Sequence, residues 1–311
     1  MSANAKLGWI GVGRMGYAMA ERLARYGADL TVWNRTRAKA EPLSEVGARV
    51  ADRITDLAGC DIVFVMVSTY EDVHEVIAGP QGLLSAGGAQ PKLIVECSSI
   101  SLEGSGELRA LLAERHIELL AAPVSGNAKV IKAGRLSFVC SGPKSAFDAA
   151  LPYLRMIGPA ASYVGEGELA RIVKICHNVM LGVVTQCLAE ITVLAQKAGV
   201  PRHAFLDFMN QSVMGSTFTR YKTPAFVNLD FKPTFTPPLL RKDLDLGLDA
   251  GRRFDVPMPL TSITRDQVQT LIGHGTLDED FAKLLVLEAA NAGLTLSPEN
   301  VPVGDGLAPS A

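Results

Sequence analysis

Cysteine is scarce and scattered in this chain. Its 311 residues hold five, Cys60, Cys97, Cys140, Cys176 and Cys187, an odd number with neither a CxxC nor a zinc-like spacing. That excludes a disulfide framework and predicts reduced, buried thiols in a cytoplasmic protein. An excess of one charge is also missing. The formal net charge is -2 and no long basic run occurs, which excludes nucleic acid as a general partner. No uninterrupted apolar run reaches about 18 residues, so no membrane span is expected. The first residues lead straight into a strand-like run, leaving no room for a leader. His, Asp and Glu do not cluster, so no metal site is expected; His203 and His274 read as surface or capping residues. Repeats and low-complexity tracts are absent as well. With 48% hydrophobic and 20% charged residues, the chain can build a large core, and wholesale disorder is excluded. Its length predicts about two domains of roughly 100–200 residues each.

What is present begins at residue 6. A short apolar run, Leu7-Gly8-Trp9-Ile10, opens into Gly11-Val12-Gly13-Arg14-Met15-Gly16. Gly11 permits a sharp turn after a strand, Gly13 lets the backbone approach a pyrophosphate, and Gly16 lets the next helix pack close to the sheet. Residues 17–26 then carry a helical pattern with Ala18, Met19, Leu23 and Ala24 on one face. Taken together, these features predict dinucleotide binding. A second apolar run, Leu30-Thr31-Val32-Trp33, ends in Asn34-Arg35-Thr36-Arg37. An acid at this strand end would accept from a ribose 2′-hydroxyl, whereas an arginine suits a 2′-phosphate. Neutral Asn34 followed by Arg35, with Thr36 and a second charge on Arg37, predicts NADP, with NADPH preferred over NADH. The plainer alternative is a solvated basic loop.

Strand-like runs at 7–10, 30–33, 62–67, 93–96, 118–121 and 137–140 alternate with amphipathic stretches such as 37–46 and 102–114. That alternation predicts an α/β, doubly wound, mainly parallel sheet, with 162–164 as a last edge strand. Beyond Gly167 the pattern turns helical. Residues 168–199 are apolar around much of a helix circumference, which predicts a helix buried between domains or subunits. Helical stretches follow at 202–211, 239–253, 260–274 and 281–292. The expected organisation is therefore 1–164 as an NADP-binding Rossmann domain and 165–296 as an all-helical substrate and dimerisation domain. A loose tail, 297–311, would follow.

Further segments carry chemistry. Glu96-Cys97-Ser98-Ser99-Ile100 and Met66-Val67-Ser68 end strands. Ala121-Ala122-Pro123-Val124-Ser125-Gly126-Asn127 contains a glycine turn, whose N–H groups can form an anion-holding concavity. Lys174 and Asn178 stand one helical turn apart and project from one face. A lysine on so apolar a helix suits general acid–base work when desolvation depresses its pKa. Arg241-Lys242-Asp243-Leu244 reads either as a site element or as an exposed ion pair at a helix start.

These motifs, in this order across residues 6–293, resemble the β-hydroxyacid dehydrogenases (3-hydroxyisobutyrate dehydrogenase-like), closest to the glyoxylate/succinic semialdehyde reductase branch. The resemblance implies a Rossmann domain followed by an all-α domain, as in 6-phosphogluconate dehydrogenase. It implies cofactor contacts at Val67, Ser68, Ser99, Lys242 and Asp243, besides those of the fingerprint and of Asn34, Arg35 and Thr36. It implies substrate contacts at Ser125, Gly126, Asn127, Asn178 and Lys242, and Lys174 as the catalytic acid/base. The implied partner is a small carbonyl or hydroxy acid, and the implied assembly a homodimer or homotetramer. Ser68 replaces the family's proline, Ala121 its acid and Asn127 its second glycine. Glu168 and Ala170 replace glycines before the lysine, and His177 stands where a first asparagine is common. His177 is expected as a packed or hydrogen-bonded neighbour rather than a base. Residues 210–218, with Ser212, Met214 and Phe218, read either as a substrate wall or as a loop joining helices. The alternatives are an NAD-dependent 3-hydroxyisobutyrate-type dehydrogenase, a relative of the imine reductases and a non-catalytic dinucleotide-binding module. Asn34 argues against the first, and Lys174 against the other two.

Overall fold

The computed structural model describes residues 5–307. Internal contacts divide the chain into two compact units, one up to Lys174 and one from Ile175. The division thus falls inside a helix, later than the expected boundary at 164.

In the first unit, β1 (Leu7–Ile10), β2 (Leu30–Trp33), β3 (Arg49–Val50), β4 (Ile62–Val65), β5 (Leu93–Glu96) and β6 (Glu118–Ala121) form a six-stranded sheet in the order β3-β2-β1-β4-β5-β6. All of its pairings are parallel. Strands covered on both faces read as continuous apolar runs, and β1, β4 and β5 are buried throughout. Alternate residues serve two cores. Trp9, Phe64 and Val95 face one, with Trp9 stacked on Phe64 at 5.5 Å, while Ile10, Val65 and Ile94 face the other. The strand order reverses between β1 and β4, and ligands of open α/β sheets bind at such a switch point. Helices α1 (Arg14–Arg25), α2 (Tyr70–Ala78) and α3 (Leu102–Ala113) follow strands β1, β4 and β5.

Several expectations are corrected here. Residues 37–46 form two 3₁₀ turns, Arg37–Lys39 and Glu41–Val46, rather than one amphipathic helix, because Pro42 cannot donate within a helix interior. The runs expected as late strands of the main sheet belong to a second sheet. There β7 (Val124–Ser125) pairs antiparallel with β8 (Ser137–Cys140), which pairs parallel with β9 (Ala160–Tyr163). Pro123, having no N–H, ends β6 and sends the chain to a new partner. Two helices, the short α4 (Ala128–Lys132) and the longer α5 (Lys144–Ile157), join these strands.

Helix α6 (Leu169–Lys197) crosses the division, and the second unit continues with α7 (Arg202–Gln211), α8 (Thr217–Asn228), α9 (Pro237–Arg253), α10 (Pro259–Gly273) and α11 (Leu284–Asn291). Helix α8 escaped the sequence pattern because Pro224 lies inside it; a Ser216–Thr219 capping box starts it. The 29 residues of α6 are long and apolar enough to cross a membrane by length and composition, yet half of its most apolar window is buried inside the chain, as in a core helix. Within the single chain α6 is buried on only part of its circumference. Val179, Leu188 and Val193 are buried, whereas Met180 and Leu194 are 68% and 69% exposed. Cys176 and Cys187 are exposed on the same helix, so only Cys60, Cys97 and Cys140 among the cysteines are the buried thiols expected. A Cβ on Gly247 would meet Val179 Cγ2 at 2.3 Å, and one on Gly182 would meet Leu244 Cδ2 at 3.1 Å. Small residues therefore bring α6 and α9 close together.

The expected loose tail is anchored as far as Val301. Arg202, buried, donates to the carbonyls of Ser297 (2.6 Å), Phe226 (2.7 Å) and Val227 (2.8 Å). Glu299 accepts from the backbone of Arg202 and His203, and Asn228 exchanges hydrogen bonds with Val301. Residues 308–311 lie outside the described residues.

Candidate functional site

The fingerprint loop takes the shape its glycines allow. Gly11 has φ +93°, and a Cβ there would lie 2.2 Å from the Met66 carbonyl oxygen. A Cβ on Gly16 would lie 2.0 Å from the Gly11 oxygen, so either substitution must push strand or helix apart. A Cβ on Gly13 would meet nothing within 4 Å, leaving the backbone open to a close ligand at the N-terminus of α1, where helix N–H groups favour an anion. These residues fit a dinucleotide. Val12 N–H donates to Asn34 Oδ1 (3.0 Å), and Asn34 Nδ2 donates to the Thr36 carbonyl (2.9 Å). Asn34 is thus a brace between the glycine loop and the end of β2, as well as a missing acid. Arg35 is 88% exposed and 3.9 Å from Asp72. Arg37 pairs with Asp52 at 2.8 Å and donates to the Ala51 carbonyl at 3.0 Å. Arg14 is exposed and Met15 half-buried.

The ends of β4 and β5 are joined through Ser98, whose Oγ accepts from Val67 N–H (2.9 Å). Ser98 N–H donates to Glu96 Oε1 (2.7 Å), and the Ser98 carbonyl accepts from Arg171 Nη1 (2.6 Å). Arg171 Nη2 pairs with Glu96 Oε2, and its Nε donates to Ser105 Oγ (3.1 Å). Ser105 in turn donates to Glu168, which pairs with Arg109 at 2.6 Å. Ser99 is half-buried and Ser68 exposed. Burial pushes the Cys97 thiol well above its ordinary range, so it is no nucleophile.

Ser125 lies in β7 and Gly126 has φ +136°. The Asn127 side chain accepts from Val130 N–H (3.1 Å) and caps α4.

In the second unit, the closeness of α6 and α9 places Asn178 Nδ2 2.5 Å from Asp243 Oδ2. His177 Nδ1 lies 2.9 Å from Asn178 Oδ1, a hydrogen-bonded neighbour. Lys242 Nζ is 3.6 Å from Asp243 Oδ1, and Asp243 is buried. Half-buried Lys174 stands one turn before Asn178 on α6. Residues 210–218 divide between the two readings. Val213 and Met214 are exposed, but Phe218 lies in the first turn of α8 and packs against Tyr221 and Phe281 at 5.3 and 6.4 Å. His203 binds Glu299 at the start of α7, and His274 caps α10. Among the described residues no group of His, Cys, Asp and Glu could hold a metal ion.

Sequence reasoning passed over Arg171, Arg109 and the buried Lys222–Asp280 pair, and it noted Glu168 only as a replaced glycine. A charge on the inward face of a helix was the available signal. Arg171 shares its face with Ile175 and Asn178, four and seven residues on.

Residues 6–165 match the family described as the NAD binding domain of 6-phosphogluconate dehydrogenase. Residues 168–287 match that described as NAD-binding of NADP-dependent 3-hydroxyisobutyrate dehydrogenase. The chain is 30% identical to 2-(hydroxymethyl)glutarate dehydrogenase of Eubacterium barkeri, over 96% of this chain and 99% of that protein. It is 28% identical to glyoxylate/succinic semialdehyde reductase 2, chloroplastic, of Arabidopsis thaliana, over 93% and 80% respectively. It also matches the cytokine-like nuclear factor N-PAC of Homo sapiens at 30% identity, over 85% of this chain but 48% of that protein, about half its length. Among solved structures, 3-hydroxyisobutyrate dehydrogenase of Mycobacterium tuberculosis with L-serine superposes with TM-score 0.79 at 27% identity, covering 91% of this chain and 99% of that one. Psf3 in complex with NADP+ superposes with TM-score 0.78 at 25% identity, covering 90% and 99%.

Proposed function

We infer the activity from one premise: the chain belongs to the β-hydroxyacid dehydrogenase family and is an NAD(P)-dependent oxidoreductase acting on a CH–OH group. Within that class it is an NADPH-dependent enzyme of small carbonyl or 3-hydroxy acids, a semialdehyde reductase or 3-hydroxyacid dehydrogenase. Exposed Arg35 beside neutral Asn34 supports NADPH, as does the NADP+ held by Psf3. When bound, the dinucleotide supplies the hydride exchanged with the carbonyl carbon. Lys174 Nζ gives its proton to the carbonyl oxygen in reduction and takes one back in oxidation. Ser125 and the N–H groups of Gly126 and Asn127 receive the anionic end. Asn178, oriented by Asp243, and Lys242 follow the family's pattern as substrate contacts.

The observation that carries this assignment is α6 itself, which bears Lys174 and, one turn on, an asparagine held by a buried carboxylate. We expect Lys174→Ala to lower kcat by roughly 10²–10⁴-fold, the usual share of a general acid, with NADPH affinity unchanged. A variant that kept most of its kcat would remove the lysine from the mechanism. NADPH oxidation measured with glyoxylate, succinic semialdehyde and tartronate semialdehyde, against NADH, tests substrate class and cofactor together; a clear preference for NADH sinks the cofactor assignment. Exposed Cys176, Met180, Cys187 and Leu194 on α6 support a homodimer or homotetramer, an assembly that light scattering by a monomer would refute.

A further inference from the structure

We propose that the buried Arg171–Glu96 pair is a positioning device, holding the two strand ends that face the cofactor in register with the helical turn that carries Lys174. This rests on the cofactor and lysine roles assigned above. The pair is 1% and 0% exposed, and its hydrogen bonds converge on one residue. Ser98 is gripped at three points: its N–H by Glu96 Oε1 (2.7 Å), its carbonyl by Arg171 Nη1 (2.6 Å), and its hydroxyl by Val67 N–H (2.9 Å). Both peptide planes of Ser98 and the end of β4 are therefore fixed together. Ser99, the next residue, and Val67 itself are among the strand-end residues assigned as cofactor contacts.

The other end of the guanidinium ties down the start of α6. Arg171 Nε reaches Ser105, which donates to Glu168 three residues upstream. Arg109 holds Glu168 (2.6 Å) and the Gly167 carbonyl (2.9 Å). Arg171 and Lys174 are one turn apart on a rigid helix, so fixing the first sets the direction of the second. The planar fork serves three different acceptors at once, which a lysine ammonium on a flexible stem cannot do in this geometry. Replacing a buried pair by uncharged groups of similar volume often leaves stability little changed. Its loss is therefore expected to show in position rather than in folding.

The test compares Arg171→Lys, which keeps the charge, with the double variant Glu96→Gln/Arg171→Met, which leaves no buried charge. In the cofactor-free chain, amide hydrogen exchange should quicken in segments 66–68 and 96–99. With NADPH and substrate, kcat should fall roughly 100-fold, the scale of a misplacement of about 1 Å, while NADPH binding changes little. The primary isotope effect from NADPH deuterated at the transferred position should rise as hydride transfer becomes limiting. Parental kcat with unchanged exchange, in whichever of the two variants folds, overturns the proposal. Exchange and the isotope effect do not depend on which group supplies the proton. A failure of the Lys174 assignment is therefore read separately, from Lys174→Ala.

Discussion

Each unit buries an ion pair, and the two pairs hold different things. In the first unit Arg171 and Glu96 direct their hydrogen bonds to Ser98, beside the candidate cofactor contacts. In the second, Lys222 and Asp280 are 3% and 2% exposed, 2.5 Å apart. Asp280 accepts from the backbone of Thr234 and Ala282 and from the Thr234 hydroxyl, and Lys222 lies 4.2 Å over the Phe281 ring. None of these partners is a candidate site residue. They belong to the strand-free segment before α9 and the 3₁₀ turn before α11. Desolvation offsets much of the Coulombic attraction in both places, so the use of a buried pair is read from what it immobilises. One pair immobilises a site, and the other a crossing of two chain segments.

The contrast is sharpest if the second pair is broken. Lys222→Met leaves Asp280 buried without its counter-charge, and we expect a loss of about 3–5 kcal/mol in unfolding free energy, with NADPH affinity unchanged by fluorescence titration. A parallel loss of NADPH binding would erase the distinction. Changing the first unit's exposed Arg35 to Ser should do the opposite. Losing one charge-assisted contact to a phosphate weakens NADPH binding by roughly tenfold, while NADH binding and melting temperature stay put. If both cofactors weaken equally, Arg35 does not read the 2′-phosphate.

The smallest effect is in acid. Burial pushes the Asp280 carboxyl up, but the charge of Lys222 and hydrogen bonds from Lys222, Ala282 and Thr234 outweigh it, leaving it below its ordinary 3.8. Burial likewise raises Glu299, and bonds from His203 and Arg202 bring it below 4.5. A depressed folded pKa contributes stability above the unfolded value, and that stability is lost as pH falls through the folded one. The urea midpoint should therefore drop as pH falls below 4.5 and then below 3.8. Asp280→Asn should flatten the lower part of that curve; an unchanged slope would show that the carboxylate carries no pH dependence.

Much of the first unit was legible because its signals are local. A strand buried on both faces declares itself as an apolar run, and Gly11 and Gly16 are demanded by contacts within a few residues of chain or with the neighbouring strand. The second unit was legible as helices but not as a site. Asn178 was singled out by its spacing from Lys174. Its partner Asp243 lies 65 residues away, and nothing in the local pattern announces that Gly182 and Gly247 let the two helices meet. Helix α8 and the anchored tail were missed for a related reason. Pro224 and the small residues after 297 carry local signals for breaks and looseness, which long-range bonds to Arg202 and Asn228 override.

The amino-acid order alone determined that a dinucleotide loop follows the first strand, that an arginine and no acid ends the second, and that a lysine and an asparagine share a helix face. These are properties of neighbours in the chain, set by steric demands, charge and helical pitch. Tertiary structure alone decided which charges lose their water. Arg37 and Arg171 look alike in sequence, yet one is spent on exposed carbonyls and the other closes around Ser98. Burial, and the need to satisfy every buried donor, arises only when distant segments pack.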